Sequence, residues 1–197
     1  MDLHFIWLCD CSGSMVGDKI NSLNQAIKDC ITPMRQFAEE NPDLQILVRV
    51  IQFGNNGASW HIEQPQQINE FEWKDLSART GNLTPMGHAI RLLAQAFDSA
   101  KLAQDNMYRP IFVLISDGEP TDNFSIGLDE LMEQEWGRNS SRYAIAIGDD
   151  ADKETLTRFI GNFNTSVLSC SQSSDLPNLI LNEYIHFLNE PVWQVNN

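Results

Sequence analysis

An aspartate and two serines stand at alternate positions in Asp10-Cys11-Ser12-Gly13-Ser14, directly after an apolar run over residues 3–9. The run is too short to cross a membrane and rich in bulky residues, which is typical of a strand buried on both faces of a sheet. The motif therefore lies at the carboxyl end of a strand. One carboxylate and two hydroxyls can turn there toward a common point, and a small hard cation prefers such oxygen ligands. Gly13 lets the backbone turn tightly between the serines.

The elements that would position this motif alternate between strands and helices. Apolar patterns predict strands over 44–53, 111–116 and 143–148, a short antiparallel edge strand over 59–63 and a short strand over 166–168. They predict helices over 17–38, 124–136 and 176–188, a short helix around 156–160 and a helix capped by Thr84. This alternation is the signature of a doubly wound α/β fold, in which ligands bind outside the carboxyl ends of the strands. We therefore predict a mostly parallel six-stranded sheet with one antiparallel edge strand and helices on both faces. Residues 1–190 would form one domain, followed by a tail over 191–197.

Two further segments accompany the first motif: Gly81-Asn82-Leu83-Thr84-Pro85-Met86-Gly87, and an apolar run over 111–116 followed by Asp117-Gly118. In this order the three motifs resemble the metal-ion-dependent adhesion site of von Willebrand factor A-type domains. The resemblance implies a set of metal ligands, some acting through bound waters: Asp10, Ser12, Ser14, Thr84 and Asp117. It implies strand order 3-2-1-4-5-6, with the Asp10 and Asp117 strands side by side. A shell of hydroxyls, carboxylates and waters suits Mg²⁺, with Mn²⁺ or Ca²⁺ as alternatives.

The resemblance also implies a function. In this family an acidic side chain of a partner protein completes the coordination of the metal, so we expect a binding module and not an enzyme. The chain most resembles short bacterial domains of the TerY type, associated with tellurite resistance, stress and phage-defence systems, which act beside kinase-like or phosphatase-like partners. The alternative is a metal-assisted phosphohydrolase of the haloacid-dehalogenase kind. That family has a second aspartate two residues after the first, where this chain has Ser12, so a general acid is missing.

Composition narrows the choice of partner and compartment. The 197 residues carry a formal net charge of −14, so we expect neither nucleic acid nor anionic membranes as partners. The four cysteines (Cys9, Cys11, Cys30 and Cys170) form no C-x-x-C pair, and we expect reduced thiols in or near the core. With no signal-peptide pattern at the amino terminus, this favours the cytoplasm.

A second acidic cluster, Asp149-Asp150-Ala151-Asp152, resembles the opening of a calcium-binding loop. It lacks the glycine at the sixth position and the glutamate at the twelfth that such a loop needs. We therefore interpret the cluster as negative charge at the start of a helix, where the helix dipole favours it.

Overall fold

The sheet of this protein has six strands in the order β3-β2-β1-β4-β5-β6. The computed structural model describes residues 1–96, 107–161 and 166–170. The strands are β1 (Asp2–Asp10), β2 (Gln45–Gly54), β3 (Gly57–Gln67), β4 (Ile111–Ser116), β5 (Ser141–Ala146) and β6 (Leu168–Ser169). The helices are α1 (Asp18–Glu40), α2 (Met86–Ala94), α3 (Phe124–Glu133), α4 (Glu135–Arg138) and α5 (Lys153–Ile160), with a 3-10 turn at Gly13–Met15.

Strand β1 is central and runs parallel to both of its neighbours, β2 and β4. The pairs β4–β5 and β5–β6 are also parallel, and only β2–β3 is antiparallel. The predicted fold class and strand order are therefore confirmed. Because β1 and β4 end at the same edge of the sheet, with a strand crossover on either side, the residues that follow them meet where the strand order reverses.

Alternation along the strands divides the core into two layers. Phe5 and Trp7 of β1 pack in the layer that includes α1, whereas Ile6 and Leu8 pack in the layer that includes α2, α3 and α5. Successive side chains of a strand point to opposite faces, so a run of bulky apolar residues fills both layers. Helices on both faces thus follow from the continuous apolar character of β1.

The edge strand β3 is longer than the sequence predicts, since it extends from Gly57 to Gln67 and not only over 59–63. Its second half still pairs with β2, with Gln66 opposite Val48 and Gln67 opposite Leu47. These positions are polar because the strand lies at the edge and is mostly solvent-exposed. Hydrophobic alternation could therefore not reveal them.

The other predicted elements within the described residues are present, with shifted bounds. Strand β5 starts and ends two residues earlier than predicted, and the predicted helix over 124–136 is divided by Gln134, which is extended at ψ 131°. The chain around Phe71 and Trp73 is irregular and packs on α1, where Trp73 Nε1 donates to Asn24 Oδ1 at 3.0 Å.

The predicted helix over 176–188 and the tail over 191–197 lie outside the described residues, so the domain boundary at 190 stays a prediction. Within the described ranges, every helix is too short or too polar to span a bilayer.

Candidate metal site

The loop after β1 is fixed by its first residue. Asp10 is fully buried, and its Oδ1 accepts a hydrogen bond from the backbone N–H of Ser12 at 2.8 Å, which closes a tight turn. Its Oδ2 accepts from the hydroxyl of Ser116, the last residue of β4, which is also fully buried. Both oxygens of this carboxylate are therefore held, and the ends of β1 and β4 are tied together.

The two serines connect Asp10's loop to the second aspartate. Ser14 donates from its hydroxyl to Asp117 Oδ1 at 2.8 Å, and the Ser12 and Ser14 oxygens are 3.1 Å apart. Because Ser14 uses its proton on Asp117, Ser12 is the donor in the serine pair. The result is a directed chain of hydroxyls that ends on a carboxylate at the neighbouring strand end.

The Thr84 hydroxyl lies over the same place. A methyl group built on Gly118 would be 3.8 Å from Ser14 Oγ and 4.0 Å from Thr84 Oγ1, so both hydroxyls border the space above this glycine. Thr84 is 7% exposed, and among the described residues its hydroxyl engages no hydrogen-bond partner. A hydroxyl without such a partner at the border of this space is free to bind a cation or an ordered water.

Thr84 does not cap helix α2, contrary to the sequence prediction. Pro85 takes the capping position and no local side chain caps the helix. The cap comes from Asp122, far along the chain, whose Oδ1 accepts from the Gly87 N–H at 2.8 Å and whose Oδ2 accepts from the His88 N–H at 2.7 Å. The Thr84 hydroxyl is thereby released from a structural task.

Thr121 completes the support of residues 81–87, the threonine loop. Its hydroxyl accepts from the Thr84 N–H at 2.8 Å, and its own N–H donates to the Thr84 carbonyl at 3.0 Å. The loop after β4 therefore carries both Asp117 and the residues that hold Thr84 in place. Sequence reasoning assigned Thr121 and Asp122 no role.

The first loop and the threonine loop touch through glycine. A Cβ on Gly13 would lie 2.1 Å from the Gly81 carbonyl oxygen, closer than any side chain permits. Gly81 itself has a φ of 151°. Asn55 in the β2–β3 turn braces the threonine loop, because it donates to the Arg79 carbonyl at 2.7 Å and accepts from the Leu83 N–H at 3.0 Å. Close backbone contact thus brings the serine and threonine hydroxyls together.

Lys19, in the first turn of α1, adds a cation that sequence reasoning missed. Its ammonium lies 2.7 Å from Asp117 Oδ2 and 3.0 Å from Asp150 Oδ1. The Asp117 side chain is 1% exposed, so its charge is balanced chiefly by this lysine and by the Ser14 hydroxyl. No sequence pattern marks the contact, because 98 residues separate the two partners.

Burial sets the electrostatics of the site. It raises the pKa of the Asp10 carboxyl, against the hydrogen bonds from Ser116 and Ser12 that lower it, and the charge of Asp117 raises it further. Burial also raises the pKa of the Cys11 thiol to about 12 and that of Cys9 well above its ordinary value. All four cysteines are free in the structure, as expected. Cys9 and Cys11 therefore remain neutral thiols and supply no thiolate to the site.

The donor set fits a hard divalent cation. The five predicted ligand residues offer only carboxylate and hydroxyl oxygens, which suit Mg²⁺, Mn²⁺ or Ca²⁺ better than a soft metal. Over residues 1–96, 107–161 and 166–170, no three His, Cys, Asp or Glu side chains are grouped so as to hold a metal. A cation here would consequently depend on neutral hydroxyls and waters in addition to its two carboxylates.

The acidic cluster at 149–152 caps a helix, as interpreted from the sequence. Asp152 accepts from the N–H groups of Glu154 and Thr155 at the start of α5, at 3.1 and 3.3 Å. Asp150 faces Lys19. This cluster therefore has the local contacts of a helix start.

Known structures share this fold. Proximal thread matrix protein 1 from the mussel byssus is 20% identical, with a TM-score of 0.65, over 92% of this chain and 47% of that one. A second structure of that protein, with a zinc-occupied metal-ion-dependent adhesion site, is 22% identical with a TM-score of 0.57 over the same shares. The VWA domain of SpRpn10 is 14% identical, with a TM-score of 0.59, over 90% of this chain and 94% of that domain. At such identities the likeness shows the fold alone, and this chain spans about half of the byssus protein.

No curated protein sequence matches the chain. The model of the von Willebrand factor type A domain matches residues 5–181, which include β1 with Asp10, the loop after β4 with Asp117 and the loop with Thr84. Because this match covers most of the sequence and the sheet has the predicted strand order, the chain belongs to the von Willebrand factor type A family.

Proposed function

We propose that the protein is a metal-dependent protein-binding module whose metal is Mg²⁺. The proposed ligands, directly or through water, are Asp10, Ser12, Ser14, Thr84 and Asp117. One observation carries the proposal: the unengaged Thr84 hydroxyl and the Ser14 hydroxyl border the same space above Gly118, beside the Asp117 carboxylate. Domains of this family often mediate metal-dependent protein interactions.

The charges of these ligands support an acidic partner group. Asp10 and Asp117 formally neutralise a divalent ion, but both carboxylates are already shared with protein donors, and Asp117 also with Lys19. The three hydroxyls are neutral. The bound ion would supply an electrophilic coordination position, and an Asp or Glu side chain of another protein is suited to occupy it.

Exposed apolar side chains on the same loops support a protein as the partner. Three large hydrophobic residues are exposed in the described part of the chain, and two of them are Val16, at 47%, and Leu83, at 53%. Val16 follows the serine motif and Leu83 precedes Thr84. Apolar side chains beside a polar centre are typical of protein interfaces. We propose that they pack against apolar residues flanking the acidic group of the partner.

The setting of Asp10 argues against the haloacid-dehalogenase alternative. A nucleophilic carboxylate must expose an oxygen to its substrate, whereas Asp10 is fully buried and both of its oxygens accept hydrogen bonds. Position 12 is a serine whose hydroxyl donates to Ser14. We therefore propose a module that binds and does not catalyse.

The biological assignment follows the resemblance noted from the motifs. We propose a cytoplasmic scaffold of the TerY type that works in a stress, tellurite-resistance or phage-defence system. Its partners would be proteins, including kinase-like or phosphatase-like ones, and neither nucleic acid nor membrane, in keeping with the net charge of −14.

Metal binding can be tested by thermal unfolding in Mg²⁺ and in chelator. A ligand of the folded state alone adds about 2.7 kcal/mol to the free energy of unfolding at a hundredfold excess over its Kd. This corresponds to a rise in Tm of roughly 5–10 °C for a chain of this size. Thr84→Val keeps the shape and removes the hydroxyl, so it should reduce the rise, while Thr80→Val in the same loop should not. Equal melting curves of the unaltered protein in Mg²⁺ and in chelator would refute the metal site.

Partner binding is tested by copurification from the native host. Proteins that depend on the site should be retained in Mg²⁺ by the unaltered chain and by Thr80→Val, and lost from Thr84→Val or on addition of chelator. Partners retained equally under all four conditions would show that recognition uses another surface.

A further inference from the structure

The ammonium of Lys19 is paired with the Asp117 carboxylate, which is also a proposed ligand of the Mg²⁺ ion. Asp117 Oδ1 accepts a hydrogen bond from the Ser14 hydroxyl at 2.8 Å, and Asp117 Oδ2 accepts one from the Lys19 ammonium at 2.7 Å. No oxygen of this side chain is left without a donor. A cation that binds to Asp117 is therefore repelled by the positive charge of the lysine.

Lys19 also has a second carboxylate within reach. Its ammonium lies 3.0 and 3.2 Å from the two oxygens of Asp150, whose side chain is 75% exposed. The Asp117 side chain is 1% exposed. Lys19 thus bridges a buried carboxylate in the site and an exposed one in the β5–α5 loop, and it can release the first while keeping the second.

Gly148 makes room for this bridge. It has a φ of 88°, and a Cβ built on it would lie 2.6 Å from Asp150 Oδ1 and 3.1 Å from Lys19 Cε. A side chain at position 148 would therefore displace the Asp150 carboxylate and crowd the end of Lys19. Gly148 leaves open the space in which this pair lies.

We propose that Lys19 is a resident cation that competes with the divalent metal for Asp117 and so sets the metal affinity of the site. In the metal-free protein it balances the buried charge of Asp117. When the metal binds, the ammonium moves toward Asp150. This inference rests on the proposed metal site and adds to it the residue that determines how tightly the metal is held.

The expected effect follows from Coulomb's law. A single positive charge about 6 Å from a divalent ion, screened as in bulk water, weakens binding of that ion by about tenfold. Removing the charge of Lys19 should tighten Mg²⁺ binding by about this factor. The same change leaves Asp117 without its cation in chelator, so the metal-free protein should melt at a lower temperature.

The test is Mg²⁺ titration by calorimetry, with thermal unfolding in chelator as a second measurement. Lys19→Met should bind Mg²⁺ about tenfold more tightly and melt lower in chelator, whereas Lys19→Arg, which keeps the charge, should stay within about threefold of the unaltered Kd. The matched control is Lys28→Met on the same helix. Lys28 also pairs with an aspartate, Asp75 at 2.8 Å, but away from the predicted ligands, so this variant should leave the Kd unchanged.

Three results would overturn the proposal, and they differ from one another. An unchanged Kd for Lys19→Met with a lower Tm would make the ion pair a structural brace of α1 only. A weaker Kd would mean that Lys19 orients Asp117 for the metal instead of competing with it. Absence of Mg²⁺ binding by the unaltered protein would refute the proposed function itself, which neither of the first two results does.

Discussion

The Asp122 carboxylate caps helix α2 from a distant loop, and its removal should destabilise the protein. Asp122→Ala leaves the Gly87 and His88 N–H groups, now bonded at 2.8 and 2.7 Å, without their acceptor. Loss of a capping side chain costs about 0.5–2 kcal/mol, and a negative charge at a helix start adds about 0.3–1 kcal/mol. Both oxygens accept a bond here, so we expect a loss of about 1–2 kcal/mol in the free energy of unfolding.

The assay is urea and thermal unfolding in chelator, so that metal binding does not contribute. For a chain of this length a loss of 1–2 kcal/mol lowers Tm by roughly 2–8 °C. Asp122→Asn keeps one acceptor oxygen and should lose less. Asp129→Ala, at an exposed position within α3, is the matched control and should melt as the unaltered protein does. If Asp122→Ala and Asp129→Ala melt together, the capping assignment is wrong.

Three further predictions concern the site itself. Ser116→Ala removes the hydroxyl that donates to the buried Asp10, so it should cost about 1.5–3 kcal/mol of stability and weaken Mg²⁺ binding by calorimetry. Asp10→Asn should flatten the pH dependence of stability in chelator: the raised pKa of Asp10 means that its protonated form favours folding, and this contribution is lost as pH rises through that pKa. Leu83→Ser should reduce partner recovery and leave the Mg²⁺ response of Tm unchanged.

Each of these has a result that contradicts it. Equal stability of Ser116→Ala and the unaltered protein would show that the hydroxyl does not support Asp10. For the pH prediction, the difference in unfolding free energy between about pH 4, the ordinary range of an Asp carboxyl, and about pH 8 is compared in both proteins, and an equal loss would contradict the role of Asp10. Ile126→Ser is the control for Leu83→Ser, because Ile126 is similarly exposed, at 48%, but lies on α3. Equal partner recovery from both variants would show that Leu83 is not part of the interface.

The fold was predictable because each central strand is a run of apolar residues. The runs before Asp10 and Asp117 must be buried on both faces, and only a parallel sheet between helix layers buries them so. Edge strand β3 was only half predictable, since Gln66 and Gln67 pair through backbone atoms that no side-chain pattern reports.

The candidate site was predictable where its residues are close in sequence and unpredictable where they are distant. Spacing alone groups Asp10 with Ser12 and Ser14, and the structure joins them by local hydrogen bonds. The Lys19–Asp117 and Asp122–Gly87 contacts span 98 and 35 residues. They depend on how loops meet at the sheet edge, which is set by the packing of whole elements. The prediction that Thr84 caps α2 failed for this reason: a carboxylate from another loop took that place.

The charge distribution would make recognition of the proposed acidic partner depend on the site and not on the surface as a whole. A molecule with net charge −14 repels an approaching acidic partner, and salt confines this repulsion to separations of about one Debye length, about 8 Å at physiological ionic strength. Attraction must then come from short range. With Mg²⁺ bound, Asp10, Asp117 and the Lys19–Asp150 pair leave the site formally neutral, whereas without Lys19 the same groups would leave a formal charge of −1. A lysine that weakens metal binding would therefore strengthen the hold on the partner's carboxylate. The positive charge of Lys19 would thus both compete with the metal for Asp117 and raise the affinity for an acidic partner.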